Sequence, residues 1–270
     1  MDILHVAVLA LFRGATEVLP VGSSADLAAV TSMADWARRG PAVDLAVHLG
    51  ALAAVAAYFW RDLWLMAVGA ARYFTGRRDA ENGGRLAFHL VIATLPIIAA
   101  VLLLERYAPG GRGGVLVVGW SMLGFGVLLF LADRIGMTIR RVEHLALGDA
   151  VVIGIAQVAA LIPGAGRAVA AMSAARILGL ERVDAARFSM LLTIPALLGL
   201  VVVDGMELAA LPGTHLTGVV VMAALIGFAA ALIAIAVLMA WLERSTFAPF
   251  VVYRVAVGGA LLALGYGEVF

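Results

Sequence analysis

Two polar breaks in otherwise apolar sequence carry side chains that could do chemistry. The first, Glu17-Val18-Leu19-Pro20-Val21-Gly22-Ser23-Ser24-Ala25-Asp26, offers two carboxylates and two hydroxyls. The second ends in Pro163-Gly164-Ala165-Gly166-Arg167 and offers a guanidinium within a tight turn. Turn nests and helix N-termini bind phosphate, and a guanidinium binds it through two parallel hydrogen bonds. Arg167, with Gly164 and Gly166 freeing backbone N–H groups beside it, therefore suits an anionic ligand. Arg13 stands one helical turn before Glu17, and Asp44 and His48, four residues apart, share one helix face. Gln157 is a further polar residue in the apolar run before the second break. Charges within apolar segments cost about 2.5–3.5 kcal/mol each on insertion scales and mark function by default. Purely structural roles are also open. Arg13 and Glu17 could neutralise each other, Asp44 could touch the membrane interface, His48 could bond a carbonyl, and Ser23 and Ser24 could cap a helix. Together the residues describe a site for a phosphate with an apolar remainder, in a hydrolase or a transporter. A scaffold would need no Pro-Gly-x-Gly-Arg turn at membrane depth.

The elements that position these residues are membrane helices. The chain is 64% hydrophobic and only 14% charged, with no Cys, against about 25% charge in a soluble domain. Disulfides, thiolate metal sites and Cys nucleophiles are thereby excluded. All the basic residues are Arg, and a net charge of +1 argues against a nucleic-acid partner. No basic region precedes the first apolar run, so no cleaved signal peptide is expected. Six segments reach the roughly 20 residues that a span requires: about 41–60, 86–104, 114–132, 185–203, 217–241 and 249–267. The runs at Ile3–Phe12 and Leu147–Ile162 are too short, stop at Pro20 and Pro163, and resume as Leu27–Met33 and Ala168–Leu180. Each reads as a re-entrant hairpin.

The expected fold is therefore an all-α polytopic membrane protein, with six full spans plus two re-entrant helical hairpins. It forms one integral membrane domain over 1–270. The order is hairpin, three spans, hairpin, three spans. An odd count inverts the second half, giving an inverted-topology repeat (about 1–135 and about 146–270) with the hairpin tips meeting near the midplane. Thr94-Leu95-Pro96 and Thr193-Ile194-Pro195 are a possible echo of that duplication. Arg61, Arg72, Arg77, Arg78 and Arg85, and then Arg134, Arg140 and Arg141, should face the cytoplasm. Arg38 and Arg39 run against that bias. The stretch 77–84 reads as a solvated loop, and the connection carrying Asp204 and Glu207 as an external one. Gly119, Gly124, Gly126 and Gly227 permit close helix contacts, within one subunit or across a homodimer.

The residues from Gly14 through Ser24 resemble the first signature of bacterial undecaprenyl-diphosphate phosphatases, the bacitracin-resistance family. Ala156-Gln157 through Arg167 resembles the second. Val43-Asp44 through Gly50, Ala186-Arg187-Phe188-Ser189 and Phe247 through Arg254 resemble other parts of it. The resemblance implies removal of the terminal phosphate of undecaprenyl diphosphate at the outer side of the bacterial cytoplasmic membrane, with the monophosphate recycled for peptidoglycan and other envelope glycans. It implies that Arg167 clamps the diphosphate, that Glu17 positions a metal or a proton, and that Ser23 is nucleophile or phosphate ligand. It also implies Mg²⁺ or Ca²⁺ as cofactor. The chain departs from the signatures in several places. Arg13 stands where the family has an acid and Asp26 where it has a His. Gly166 and Ala168 replace serines beside Arg167, and Ala171 replaces a Thr. In a variant phosphatase Asp26 would be the general base, and Arg13 would join Arg167 on the diphosphate, with Ser24, Gly164, Gly166, Gln157, Asp44 and His48 around the substrate. The alternative is a catalytically altered relative that binds or translocates a polyprenyl phosphate or other anionic lipid without hydrolysing it.

Overall fold

The computed structural model describes residues 3–22, 41–74, 82–107, 114–136, 139–210 and 218–267. Among them are ten α-helices and no strand: α1 (Ile3–Val18), α2 (Pro41–Tyr58), α3 (Trp60–Phe74), α4 (Asn82–Tyr107), α5 (Val115–Ile135), α6 (Leu147–Val158), α7 (Arg167–Ile177), α8 (Arg182–Ala210), α9 (Gly218–Leu242) and α10 (Ala248–Gly267). Helices follow from the solvent. In a bilayer every backbone N–H and C=O must be satisfied within its own segment. At the two breaks the helix stops beside Pro: α1 ends before Pro20, and after α6 a 3₁₀ turn over Ala159–Leu161 leads into Pro163.

Five described helices (α4, α5, α8, α9 and α10) are long and apolar enough to cross a membrane. The sixth expected span, α2, qualifies only together with α3, to which it is joined through a 78° bend. Phe59 sits at that bend. The stretch after it, expected as a plain connection, is helical, with Trp60 and Trp64 exposed as aromatic anchors at a membrane interface would be. Residues 82–84, expected in a solvated loop, begin α4, and Gly84 packs against Gly69 of α3. The third difference is at α8. It continues helically through Asp204 and Glu207 to Ala210, where an external loop was expected.

Two polar links fix α2 and α8 as antiparallel neighbours. At one end Arg187 pairs with Asp62, just past the bend; at the other, His48 Nδ1 lies 2.6 Å from Asp204 Oδ2. Arg187 also lies 3.7 Å from Glu143, so the start of α3 and the turn at Val142–His144 gather at one end of the bundle. Two further packing pairs are reciprocal, and a third joins corresponding helices, while α2 also packs along α9. α1 lies on α9 and α6 lies on α4, while α5 packs along α10. Glycine makes the first two possible: a Cβ on Gly14 would lie 2.6 Å from the Gly227 carbonyl oxygen, and one on Gly154 2.6 Å from that of Ala93. Thr94 and Pro195 fall on the second span of one half and the first of the other. That echo therefore does not mark equivalent positions; both residues line one cavity instead.

Candidate active site

The two breaks converge, as expected, and a residue from neither of them joins them. Arg254, on α10, is fully buried. Its Nη1 donates to the Val21 carbonyl at 2.9 Å, and its Nη2 to the Gly164 and Ala165 carbonyls at 2.7 and 2.9 Å. These carbonyls lie in the non-helical turns of the two breaks, outside any helix ladder. Gly22 and Gly164 have φ of +109° and +88°, and a Cβ on Gly164 would lie 2.6 Å from the Val118 carbonyl oxygen of α5. Gly164→Ala should therefore be destabilising by roughly 1–3 kcal/mol, from backbone strain plus overpacking. The expected readout is a lower thermal midpoint in detergent, and an unchanged midpoint would show that the turn adapts.

Above this clasp the tips open onto a cavity of about 550 Å³. Its polar wall carries Arg13 and Glu17 from α1, His48 from α2, and Gly166 and Arg167 from the second break. Arg167 Nη2 donates to Glu17 Oε1 across a long 3.5 Å, and the buried Arg167 Nε has no hydrogen-bond partner. Arg167 is the first residue of α7, so the unpaired N–H groups and positive dipole end of that helix face the same space. The apolar walls are Ile97, Ile98, Val101 and Leu102 of α4 and Pro195, Ala196 and Leu200 of α8. Ile98, Leu102 and Leu200 are also exposed on the outside, so the cavity opens sideways towards lipid between α4 and α8. A pocket this size is ordinary for a small ligand, roughly 300–1,000 Å³. It holds an anionic headgroup and the start of a chain, not a long lipid.

Arg13 does not pair with Glu17. It pairs with Asp44, and its Nη2 lies 3.1 Å from His48 Nε2. His48 in turn meets Asp204, which the loop reading of that segment had concealed. Two residues expected at the ligand do not line the cavity. Gln157 is buried and donates to the Ala93 carbonyl at 3.1 Å, in the stretch of α4 that Pro96 loosens by withholding an N–H. Gly164 spends its carbonyl on Arg254 and does not line the cavity. Asp44 reaches the site only through Arg13. Ser23, Ser24 and Asp26 lie outside the described residues, as do Arg38, Arg39 and the return piece Leu27–Met33. Toward the expected Mg²⁺ or Ca²⁺, Glu17 is the described carboxylate that lines the cavity, and it is paired with Arg167.

Comparison with known proteins gives one consistent result. The sequence model of the bacitracin resistance protein BacA family matches residues 6–260. Undecaprenyl-diphosphatase 1 of Rhodospirillum rubrum is 49% identical, over 98% of this chain and 96% of its own length. The undecaprenyl-diphosphatases of Ruegeria sp. (strain TM1040) and Hahella chejuensis are 40% and 38% identical, covering 99% and 98% of this chain and 100% and 99% of theirs.

Proposed function

The chain belongs to the bacitracin resistance protein BacA family, and on that premise we propose that it hydrolyses undecaprenyl diphosphate to undecaprenyl phosphate and inorganic phosphate. It does so in the bacterial cytoplasmic membrane and returns the lipid carrier to cell-envelope glycan synthesis. One observation carries the reading: a guanidinium from one break and a carboxylate from the other face a single cavity that has an apolar, laterally open wall. The diphosphate is held by Arg167 and the N-terminal N–H groups of α7, with Arg13 one helical turn further along α1. These positive groups offset the charge that builds on the terminal phosphoryl group as water attacks and the bridging P–O bond breaks. The prenyl chain leaves through the opening between α4 and α8. Ser23, which the resemblance offers as nucleophile or phosphate ligand, and Asp26, which stands where the family has a His, follow Gly22 in the sequence. Glu17 would hold a divalent cation against the phosphate oxygens, and such an ion would offset their charge.

We read the halves, about 1–135 and about 146–270, as inverted repeats. The supporting pattern is the reciprocal packing of α1 on α9 and α6 on α4, with α5–α10 and α2–α8 each pairing corresponding helices.

The decisive measurement is phosphate release from a polyprenyl diphosphate by the purified protein in detergent, across pH and divalent cations. Turnover is expected, and Glu17→Gln should lower kcat roughly 10²-fold, because it removes the carboxylate that, among the described residues, orients Arg167. Absence of turnover, together with protein-dependent movement of lipid phosphate between liposome leaflets, would overturn the reading.

A further inference from the structure

Four charged or titratable side chains from three helices form a continuous chain, Asp44, Arg13, His48 and Asp204, whose two middle members line the cavity. Its proton arrangement is determined by chemistry. A guanidinium is donor-only, so at the 3.1 Å contact Arg13 Nη2 donates and His48 Nε2 accepts. The ring's single proton is then on Nδ1, where it donates to Asp204 Oδ2 at 2.6 Å. His48 is thus a neutral imidazole, with its lone pair on the side of Arg13 and the cavity and a carboxylate behind it. Burial holds the ring in place, since its side chain is only 4% exposed.

We propose that His48 is the general base of the hydrolysis and that Asp204 is its positioning residue, a role that deepens the phosphatase reading and rests on it. Arg13 keeps Nε2 occupied until a diphosphate enters. The phosphate oxygens then compete for the guanidinium, and Nε2 is released within the cavity. An attacking water gives its proton to Nε2 as its oxygen bonds to the terminal phosphorus. The bridging P–O bond breaks, and its electron pair leaves on the lipid monophosphate. The imidazolium is stabilised by Asp204, as the buried carboxylate of a hydrolytic triad stabilises its histidine, and the proton passes on to a departing phosphate. The local charge balance favours this direction. Around His48, Arg13 from α1 supplies one positive charge, while Asp44 from α2 and Asp204 from α8 supply two negative ones. α9, packed against α2, carries no charged residue. Arg13 and Glu17 are one helical turn apart, about 6 Å along α1, so the released base lies close to the Glu17–Arg167 pair.

The test separates a proton acceptor from a spacer. His48→Gln preserves both neutral contacts, because its amide oxygen accepts from Arg13 and its amide N–H donates to Asp204, but it cannot take a proton. In purified, monodisperse protein the expected result is a kcat about 10²–10⁴-fold lower, with KM and binding of a methylene-bridged diphosphate analogue unchanged. Added imidazole should restore part of the rate of His48→Ala, and Asp204→Asn should lower kcat without raising KM. Wild-type turnover with a His48→Gln kcat within a factor of about three of it overturns the base assignment and leaves the phosphatase reading standing. A wild-type protein that releases no phosphate overturns both. Should His48→Gln fail to fold, the Asp204→Asn split and imidazole rescue decide in the same way.

Discussion

Arg167→Ala is expected to lower phosphate release at least about 10³-fold, and Arg167→Lys to recover little of it. Positive groups aimed at a transferring phosphoryl group are worth roughly 10³–10⁵ in rate when supplied by one arginine. Lysine restores the charge but not the planar fork that binds two oxygens together. Most of the loss should fall in kcat, because the charge that Arg167 meets grows in the transition state. The fold should survive. The side chain lines a cavity, its one ion pair is long, and its Nε holds no partner. An Arg167→Ala protein that melts like wild type but turns over at a comparable rate would remove this residue from the chemistry.

Arg254→Met has the opposite signature. Its guanidinium is 0% exposed and serves three carbonyls on two separate breaks. Methionine fills much of the volume but strands those acceptors, and truncating a buried charged hydrogen-bonding group costs about 3–5 kcal/mol. The thermal midpoint in detergent should fall steeply, and activity with it, because the tips that carry Glu17 and Arg167 lose their common anchor. A variant with unaltered melting would mean that water or a neighbouring residue satisfies the carbonyls.

These two arginines differ in how openly the sequence displays them. Arg167 stands in a turn whose Pro and Gly residues announce a broken helix, so its convergence with Glu17 could be expected from residue order alone. Arg254 lies inside an ordinary apolar run, between Tyr253 and Val255. The signal was its charge within a span, which the rule on intramembrane ionisable groups flags; its partners, carbonyls far away in sequence, leave no pattern of their own. Asp204 was hidden by the reverse effect. An Asp-Gly pair followed by Glu207 looks like a loop, yet α8 carries it as helix because His48 satisfies it from α2. Gln157 stands out as a lone polar group in apolar sequence, but nothing in the sequence names its partner, the Ala93 carbonyl of α4. The number of spans was legible from run lengths, whereas the bend after Tyr58 was not, since apolar residues continue across it.

The sideways mouth between α4 and α8 also dictates how the protein experiences its substrate. A ligand that arrives from the hydrocarbon phase is sampled at its mole fraction in the bilayer or micelle, and its molarity in the buffer is immaterial. Diluting the lipid with inert detergent at fixed bulk substrate should therefore slow turnover, while diluting the whole mixture with buffer should not. The monophosphate departs by the same slit and competes with incoming diphosphate at the membrane surface, so accumulated product throttles the reaction from within the leaflet.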